Sequence, residues 1–340
     1  MAAGIDDVAR AAGVSTATVS RALRNLPNVN PATRERVREA ASRLGYVASP
    51  SAASLASGRT RAIGLISPWV NRWFFAQIID AAERALRLQG YDVLLYTFDI
   101  RREGQRPRVD PDVLRRRVDG ILVVGLPLAD DELAVLQALG YPLVCIGWGG
   151  SQEATVRLDD QAIGREAVRH LVGLGHRVIA HVTGTPDDVH PWSPPADRAA
   201  GWREAMSRAG LPATPDLVIY GGFEVAGGRS SIKTLLERRP DITAVFVSSD
   251  EMAMGVVLGL RDLGMRVPED VSVIGVDGHD LGELIGLTTM AQPVEDQGKA
   301  AADLVLDMIN GMTPPRQVIY PARLLVRSST AAPRTATSGA

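Results

Sequence analysis

The sequence predicts an α/β protein in which a small all-helical head precedes a body of doubly wound parallel sheets. Three observations carry this reading. Residues 1–46 hold short helical patterns separated by turn residues. From residue 62 onward apolar runs alternate with amphipathic stretches, the arrangement of parallel strands wrapped by helices. Between the two lies SPSAASLASGRT, residues 49–60, a linker composition whose single large apolar side chain is Leu55.

In the head, IDDVARAA places Asp7 in the first turn, where a carboxylate favours the positive end of a helix, and Gly13 beyond it suits a left-handed stop. The stretch STATVSRALRN opens on Ser15, a good cap. In NPATRERVREAASRLGY, Asn30 caps, Pro31 takes the first helical position and Gly45 terminates. Val8, Ala12, Val19, Leu23, Val37, Ala41 and Leu44 are the candidate shared core. This is a three-helix, helix-turn-helix unit, whose second helix can lie in a major groove with its first residues toward base edges. Those residues are Ser15, Thr16 and Ala17, with Thr18, Ser20 and Arg21 on the first two turns. Hydroxyls suit phosphate or base, Ala17 suits a thymine methyl, and Arg21 can fork onto guanine.

The body offers the strand candidates AIGLIS, DVLLYTF, GILVVG, PLVCIGW, RVIAHVTG, LVIYGG, AVFVSS and SVIGVD. Between them lie helical stretches such as FFAQIIDAAERALRLQG, DQAIGREAVRHLVGLG and EMAMGVVLGLRDLG. That alternation fits two doubly wound subdomains. QPVEDQGKAAADLVLDMINGM is a further amphipathic helix, followed by strand candidates RQVIYP and ARLLVRS and a polar tail expected to be disordered. The expected boundaries are a head at 1–46, a linker at 47–60, a body at 61–330 and a tail at 331–340. Within the body, one subdomain takes about 61–161 plus 293–320 and the other about 162–292 plus 321–330.

Composition narrows the function. Apolar content of 46% with 22% charged residues is that of a globular protein, and no run approaches the roughly 20 apolar residues of a membrane span. The N-terminal residues carry acids where a secretory signal has a basic patch, and the one cysteine, Cys145, excludes an internal disulfide or a cysteine-rich zinc site. A cytosolic protein is expected. The net charge of −2 conceals an asymmetry: residues 1–60 carry eight arginines against four carboxylates, a net +4, leaving −6 elsewhere. A basic head on an acidic body can hold phosphate with one end only. No GxGxxG, phosphate loop or nucleophile elbow is present, and His170, His176 and His181 lack acidic partners at metal-ligand spacing. Neither catalysis, metal nor cofactor is expected.

Parallel sheets bind ligands beyond the carboxyl ends of their strands. Asp250 lies just past AVFVSS, Asp277 closes SVIGVD, and Arg198 starts the helix after RVIAHVTG and its loop. Three charged groups would converge on one cleft, where an arginine fork and carboxylates suit the adjacent hydroxyls of a sugar. Asp250 has the equal alternative of capping EMAMGVVLGL. Trp69, Trp73, Trp148 and Trp192 lie in strand-end loops; singly they read as packing, together as apolar walls for a pyranose face.

These segments resemble the lactose/galactose repressor family (LacI/GalR), bacterial regulators that join such a head to a periplasmic-binding-protein-like body. The resemblance spans roughly residues 4–330 and rests on DVARAAGVSTATVSRAL, LGY, GRTRAIGLI, GLGHRVIAHVTG, DRAAGWREAM, SSDEMAMG, DVSVIGVDG and LTTMAQP in that order. It implies base-reading positions at Thr16, Ala17 and Arg21, backbone contacts at Ser15, Ser20, Asn28, Asn30 and Thr33, and a match of Tyr46 to the tyrosine ending the head. It implies effector contacts at Arg198 and Asp277 and aromatic stacking at Phe223. The family's usual NPFF is NRWFF here, placing Arg72 and Trp73 at the rim ahead of Phe74, and Gly147-Trp148 replaces an acid–arginine pair. Those departures give the pocket its own specificity. Gly4 stands where the family has a capping threonine, which weakens the first cap.

The resemblance also turns the linker into a hinge helix that forms on DNA, pairs with its dimer mate and wedges Leu55 into the minor groove. Ala48-Ser49 and Ala53 replace the family's Pro-Asn and a common arginine, so this hinge is expected to order less readily. The implied partners are a double-stranded, near-palindromic operator, a small sugar in the cleft and a second copy of the chain. Two alternatives remain at this point: a purine or nucleoside effector in the same architecture, or a pure ligand-binding protein, which would lack the basic head.

Overall fold

The structure, a computed structural model, describes residues 3–23, 27–46, 58–97, 108–148, 154–184 and 193–334. Leu55 with most of the expected hinge, Trp192, and the tail beyond residue 334 lie outside the described residues. Contacts divide the chain into one unit of residues 1–62 with 113–119 and a second of 63–112 with 120–340.

In the first unit, helices α1 (Ile5–Ala12), α2 (Thr16–Leu23) and α3 (Pro31–Leu44) form as the capping residues dictate. Gly13 and Gly45 stop α1 and α3 at φ 65° and 63°, conformations that glycine reaches without a Cβ penalty. The Ser15 hydroxyl accepts from Thr18 N (3.2 Å) and Asn30 Oδ1 from Ala32 N (2.9 Å). Gly4 offers no side-chain cap; Asp7 Oδ2 instead accepts from Gly4 N at 2.9 Å. Val8, Ala9, Ala12, Val19, Ala22, Val37, Ala40 and Ala41 are buried together, with Leu23 and Tyr46 packed at the edge. Leu44, expected in this core, is 37% exposed, because Ala40 and Ala41 already fill the inward face of the last turns of α3. The Asp119 carboxylate accepts from Thr60 N (2.7 Å), Thr60 Oγ1 (2.8 Å) and Arg61 N (2.9 Å), fixing the segment after the linker.

The second unit contains two six-stranded sheets. One holds β1 (Ala62–Ser67), β2 (Asp92–Thr97), β3 (Gly120–Val124), β4 (Leu143–Ile146), β5 (Ala154–Leu158) and β11 (Gln317–Tyr320), in spatial order β2-β1-β3-β4-β5-β11. The other holds β6 (Ile179–Thr183), β7 (Val218–Tyr220), β8 (Ala244–Val247), β9 (Ser272–Asp277), β10 (Thr288–Ala291) and β12 (Arg323–Leu325), in order β7-β6-β8-β9-β10-β12. The expected architecture of doubly wound sheets is the observed one. The β10–β12 pair is antiparallel, as suits a last strand added to the edge of a parallel sheet.

Around the strands run α4 (Trp73–Leu88), α5 (Asp130–Gln137), α6 (Asp160–Gly173), α7 (Pro194–Arg208), α8 (Val225–Arg238), α9 (Asp250–Asp262), the short α10 (Asp280–Leu284) and α11 (Val294–Ile309). Each sheet has its own core: Ile63, Leu65, Leu122 and Val144 under α4 and α11, and Trp202, Phe246, Val245 and Ile274 between α6, α7 and α9. The chain passes between the sheets after β5, after β10 and again from β11 to β12.

Two strands were not expected. β5, ATVRL, carries Arg157 at a half-buried position, and β10, TTMA, buries two threonines whose hydroxyls bond internally, Thr288 to Arg327 O and Thr289 to Asp250. Polar residues satisfied by distant partners read as loop in a sequence. The tail also departs from expectation as far as Arg334. Ala331 O accepts from Ser272 Oγ (3.1 Å) and bonds His176 Nε2 (2.9 Å), and Arg334 pairs with Asp270. The buried polar groups of His176 and Ser272 recruit this segment.

Candidate functional site

On the head, packing fixes which face of α2 is free. Val19 and Ala22 turn inward, so Thr16, Ala17 and Arg21 are exposed and Thr18 and Ser20 half-buried. Ser15, Asn28 and Asn30 are exposed beside them, while Thr33 and Tyr46 are half-buried. Ser15 and Asn30 spend side-chain acceptors on helix caps, and Asn28 adopts φ 69° in the turn before α3. The residues suited to base edges therefore share the outward face of the second helix of a helix-turn-helix, the geometry of a major-groove reader.

In the body, both sheets reverse direction of winding beside their first strand, between β1 and β3 and between β6 and β8. Such switch points open a crevice at the carboxyl ends of the strands. Arg198, in the first turns of α7, is 7% exposed; its Nε donates to Asp160 Oδ1 (2.8 Å) and its Nη1 to Ser248 O (2.6 Å) beyond β8. Asp160 opens α6, and burial pushes its carboxyl up to about 6 despite the guanidinium beside it. Sequence reasoning passed over Asp160, since nothing local marks a pair that only the packing of α6 on α7 brings together.

Asp277 ends β9 at φ 132° and is buried. Its Oδ1 accepts from Gln292 Nε2 at 2.6 Å, and burial pushes it up to about 7. The capping role that the sequence offered Asp250 falls to its neighbour. Ser249 caps α9 by accepting from Met252 N (3.2 Å). The Asp250 carboxylate accepts instead from Gly278 N (2.9 Å), His279 N (2.8 Å) and the Thr289 hydroxyl (2.8 Å), a buckle between α9 and the turn after β9. Burial and the nearby Asp277 charge raise it well above the ordinary carboxylate range. These partners tie the group into the fold.

Phe223 sits in the loop after β7 at φ 59°, its ring so close to Gly184 that a Cβ there would lie 1.9 Å from it. Trp73 stacks on His279 (centroids 5.1 Å, 21°), and Phe74 meets Phe75 edge-on at 5.2 Å. Trp148 is half-buried just past β4. One further group was missed: Thr183 Oγ1, at the carboxyl end of β6, is buried and makes no hydrogen bond among the described residues. A buried hydroxyl in that state, at a switch point, suits a polar ligand. His181, two residues earlier, is core: it stacks between Trp202 and Phe246, and burial drives it down to about 3. Among the described residues no cluster of acids, histidines or cysteine could hold a metal ion.

Residues 4–49 match the family described as bacterial regulatory proteins, lacI family, and residues 168–330 match the periplasmic binding protein-like domain. The HTH-type transcriptional repressor PurR of Vibrio parahaemolyticus serotype O3:K6 (strain RIMD 2210633) is 36% identical over 314 residues, covering 90% of this chain and 92% of that one. A solved complex of the transcriptional regulator CelR with cellobiose is similar at TM-score 0.71 and 33% identity, covering 96% of this chain and 99% of its own. The lac repressor dimer bound to operator and the anti-inducer ONPF is similar at TM-score 0.84 and 26% identity, covering 98% and 100%. Head and body together define a DNA-binding regulator with a ligand-binding body. The chain belongs to the lacI family of bacterial regulatory proteins.

Proposed function

We propose that this protein is a cytoplasmic, homodimeric repressor whose affinity for a near-palindromic operator is set by a small sugar bound at the carboxyl ends of its two sheets, and that it has no catalytic role. The observation that carries the reading is the buried Arg198–Asp160 pair beside Asp277, together with the Thr183 hydroxyl, which has no hydrogen-bond partner among the described residues, and the ring of Phe223 over the adjacent Gly184. Rigidly held polar groups together with aromatic rings suit a polyol with an apolar flank. The exposed Thr16, Ala17 and Arg21 are the proposed base readers, with Ser15, Ser20, Asn28, Asn30 and Thr33 serving the backbone, Thr18 and Tyr46 as further DNA-binding positions, and Leu55 serving the minor groove. Two copies would meet two half-sites, as a two-fold dimer requires.

Selection of bound DNA from a random pool, repeated with candidate effectors, tests both halves of this reading. Enrichment of a palindrome, altered by a sugar, is the expected result. No enrichment at moderate salt would overturn the DNA-binding assignment. A thermal panel of sugars and nucleosides separates effector classes, because a ligand at 100 times its dissociation constant stabilises by about 2.7 kcal/mol. Stabilisation by nucleobases alone would replace the sugar with a purine.

A further inference from the structure

We propose that Arg72 and Trp73 form a clasp that holds the two sheets of the body together across the cleft, with Arg72 positioning Phe223 for the effector. This rests on the reading of the cleft as the effector site.

Both residues belong to the first sheet, where they lead from the loop after β1 into α4. The groups they hold across the cleft, Phe223, Glu224, Glu251 and His279, belong to the second. Arg72 Nη1 donates to Phe223 O at 2.6 Å, and Nη2 lies 3.4 Å from Glu224 Oε1. The guanidinium also lies 4.3 Å over the Trp69 ring, which itself packs edge-on against Phe75 at 5.2 Å. Stacking fixes the plane of the fork, so less freedom is lost on gripping the carbonyl. The Arg72 side chain is 16% exposed, which limits screening of a contact that would be weak at an open surface.

Trp73 makes the second half of the clasp. α4 has no cap of its own, because Arg72 occupies the N-cap position without a side-chain hydrogen bond. Its first amide, Trp73 N, donates instead to Glu251 Oε1 (3.1 Å) on α9. A helix of the first sheet is thus capped by a carboxylate of the second, at the helix end that favours negative charge. The Trp73 ring stacks on His279, in the turn that Asp250 buckles. Separating the sheets would uncap α4, unstack an indole from an imidazole and release the fork from Phe223 O at the same time. The grip on Phe223 O also fixes the residue whose ring covers Gly184 at the end of β6.

Hydrogen exchange followed by mass spectrometry on the full-length, effector-free protein tests the clasp without knowledge of the ligand. With Arg72→Ala, and separately with Glu251→Ala, the segments 69–76 and 221–226 should both exchange at least about ten-fold faster, since local opening governs protection. The strands 120–124 and 244–247 should be unaffected. Arg72→Lys, which keeps the charge and loses the fork, should give an intermediate rate. Unchanged exchange at both segments would overturn the proposal, and so would equal acceleration throughout the body, which would make these residues merely structural. Because no effector is added, failure of the sugar reading leaves the result intact. Failure of the clasp leaves the sugar panel intact.

Discussion

At the residue scale, the site is a problem of buried charge. Asp160, Asp250 and Asp277 are all less than a tenth exposed, and Arg198 is the guanidinium paired among them. Removing one partner of such a pair is costlier than removing both, because the survivor stays desolvated. Arg198→Ala should therefore destabilise the body by about 3–5 kcal/mol. Adding Asp160→Asn should recover a large part of that loss in urea denaturation while leaving effector binding absent; recovery of both would show that the arginine does not touch the ligand. Asp277 supplies a pH signature. Its carboxyl is pushed up to about 7 in the fold, above its unfolded value, so the folded state holds a proton that the unfolded chain has released. The stability this gives is complete below the unfolded value and is lost as pH rises toward 7. His181, driven down to about 3, acts oppositely, losing stability as pH falls below its unfolded value. The parent protein mixes both trends, but the difference between Asp277→Asn and the parent isolates one. The variant's relative stability should climb between about pH 4 and pH 7 by at most about 1.4 kcal/mol per pH unit, one proton's worth, and level off above. A flat difference would mean that Asp277 ionises normally.

At the element scale, the Arg198–Asp160 pair depends on how closely α6 and α7 approach. Gly164 and Gly201 make that approach reciprocal: a Cβ on Gly164 would lie 2.2 Å from Arg198 O, and one on Gly201 would lie 2.1 Å from Gln161 O. Backbone atoms cannot yield as a side chain does, so Gly164→Ala should force the helices apart and cost about 1–3 kcal/mol or more. Gly173→Ala is the control, on the same helix with nothing within 4 Å of a Cβ; there alanine should be neutral or stabilise by about 0.5–1 kcal/mol. Equal effects of the two changes in urea denaturation would sink the close-approach argument. These glycines also show where sequence reading stops. Caps at Ser15 and Asn30 and the stops at Gly13 and Gly45 are local chemistry, and they were legible. So were the places of Asp277 at the end of β9 and Arg198 early in the helix after β6, because strand ends can be counted from apolar runs. A mid-helix glycine, the Asp160 partner, the Glu251 cap on α4 and the buried threonines of β10 were not. Each acquires meaning from a partner that only the fold brings near: 38 residues away for Asp160, 178 for Glu251 and 39 for Thr289.

At the scale of the whole molecule, the two units have very different means of staying folded. Among the described residues, the three helices of the head share a cluster of eight buried residues, of which only Val8, Val19 and Val37 are larger than alanine. The body carries two cores rich in Leu, Ile, Val and aromatic side chains. A small core leaves little surplus over the entropy of ordering the chain, so the head should be the weaker unit. Calorimetry of the full-length protein should accordingly show two transitions, the lower belonging to the head. An effector that binds the folded body should raise the upper transition, whereas operator DNA should raise the lower. If effector and operator each act through one unit, any influence of one on the other must come from their differential affinities for two states of the chain. That coupling would be read as a dependence of the lower transition on effector only when operator is present. A single transition raised equally by effector with or without DNA would mean that head and body unfold as one unit, and the independence argued from their separate cores would fail.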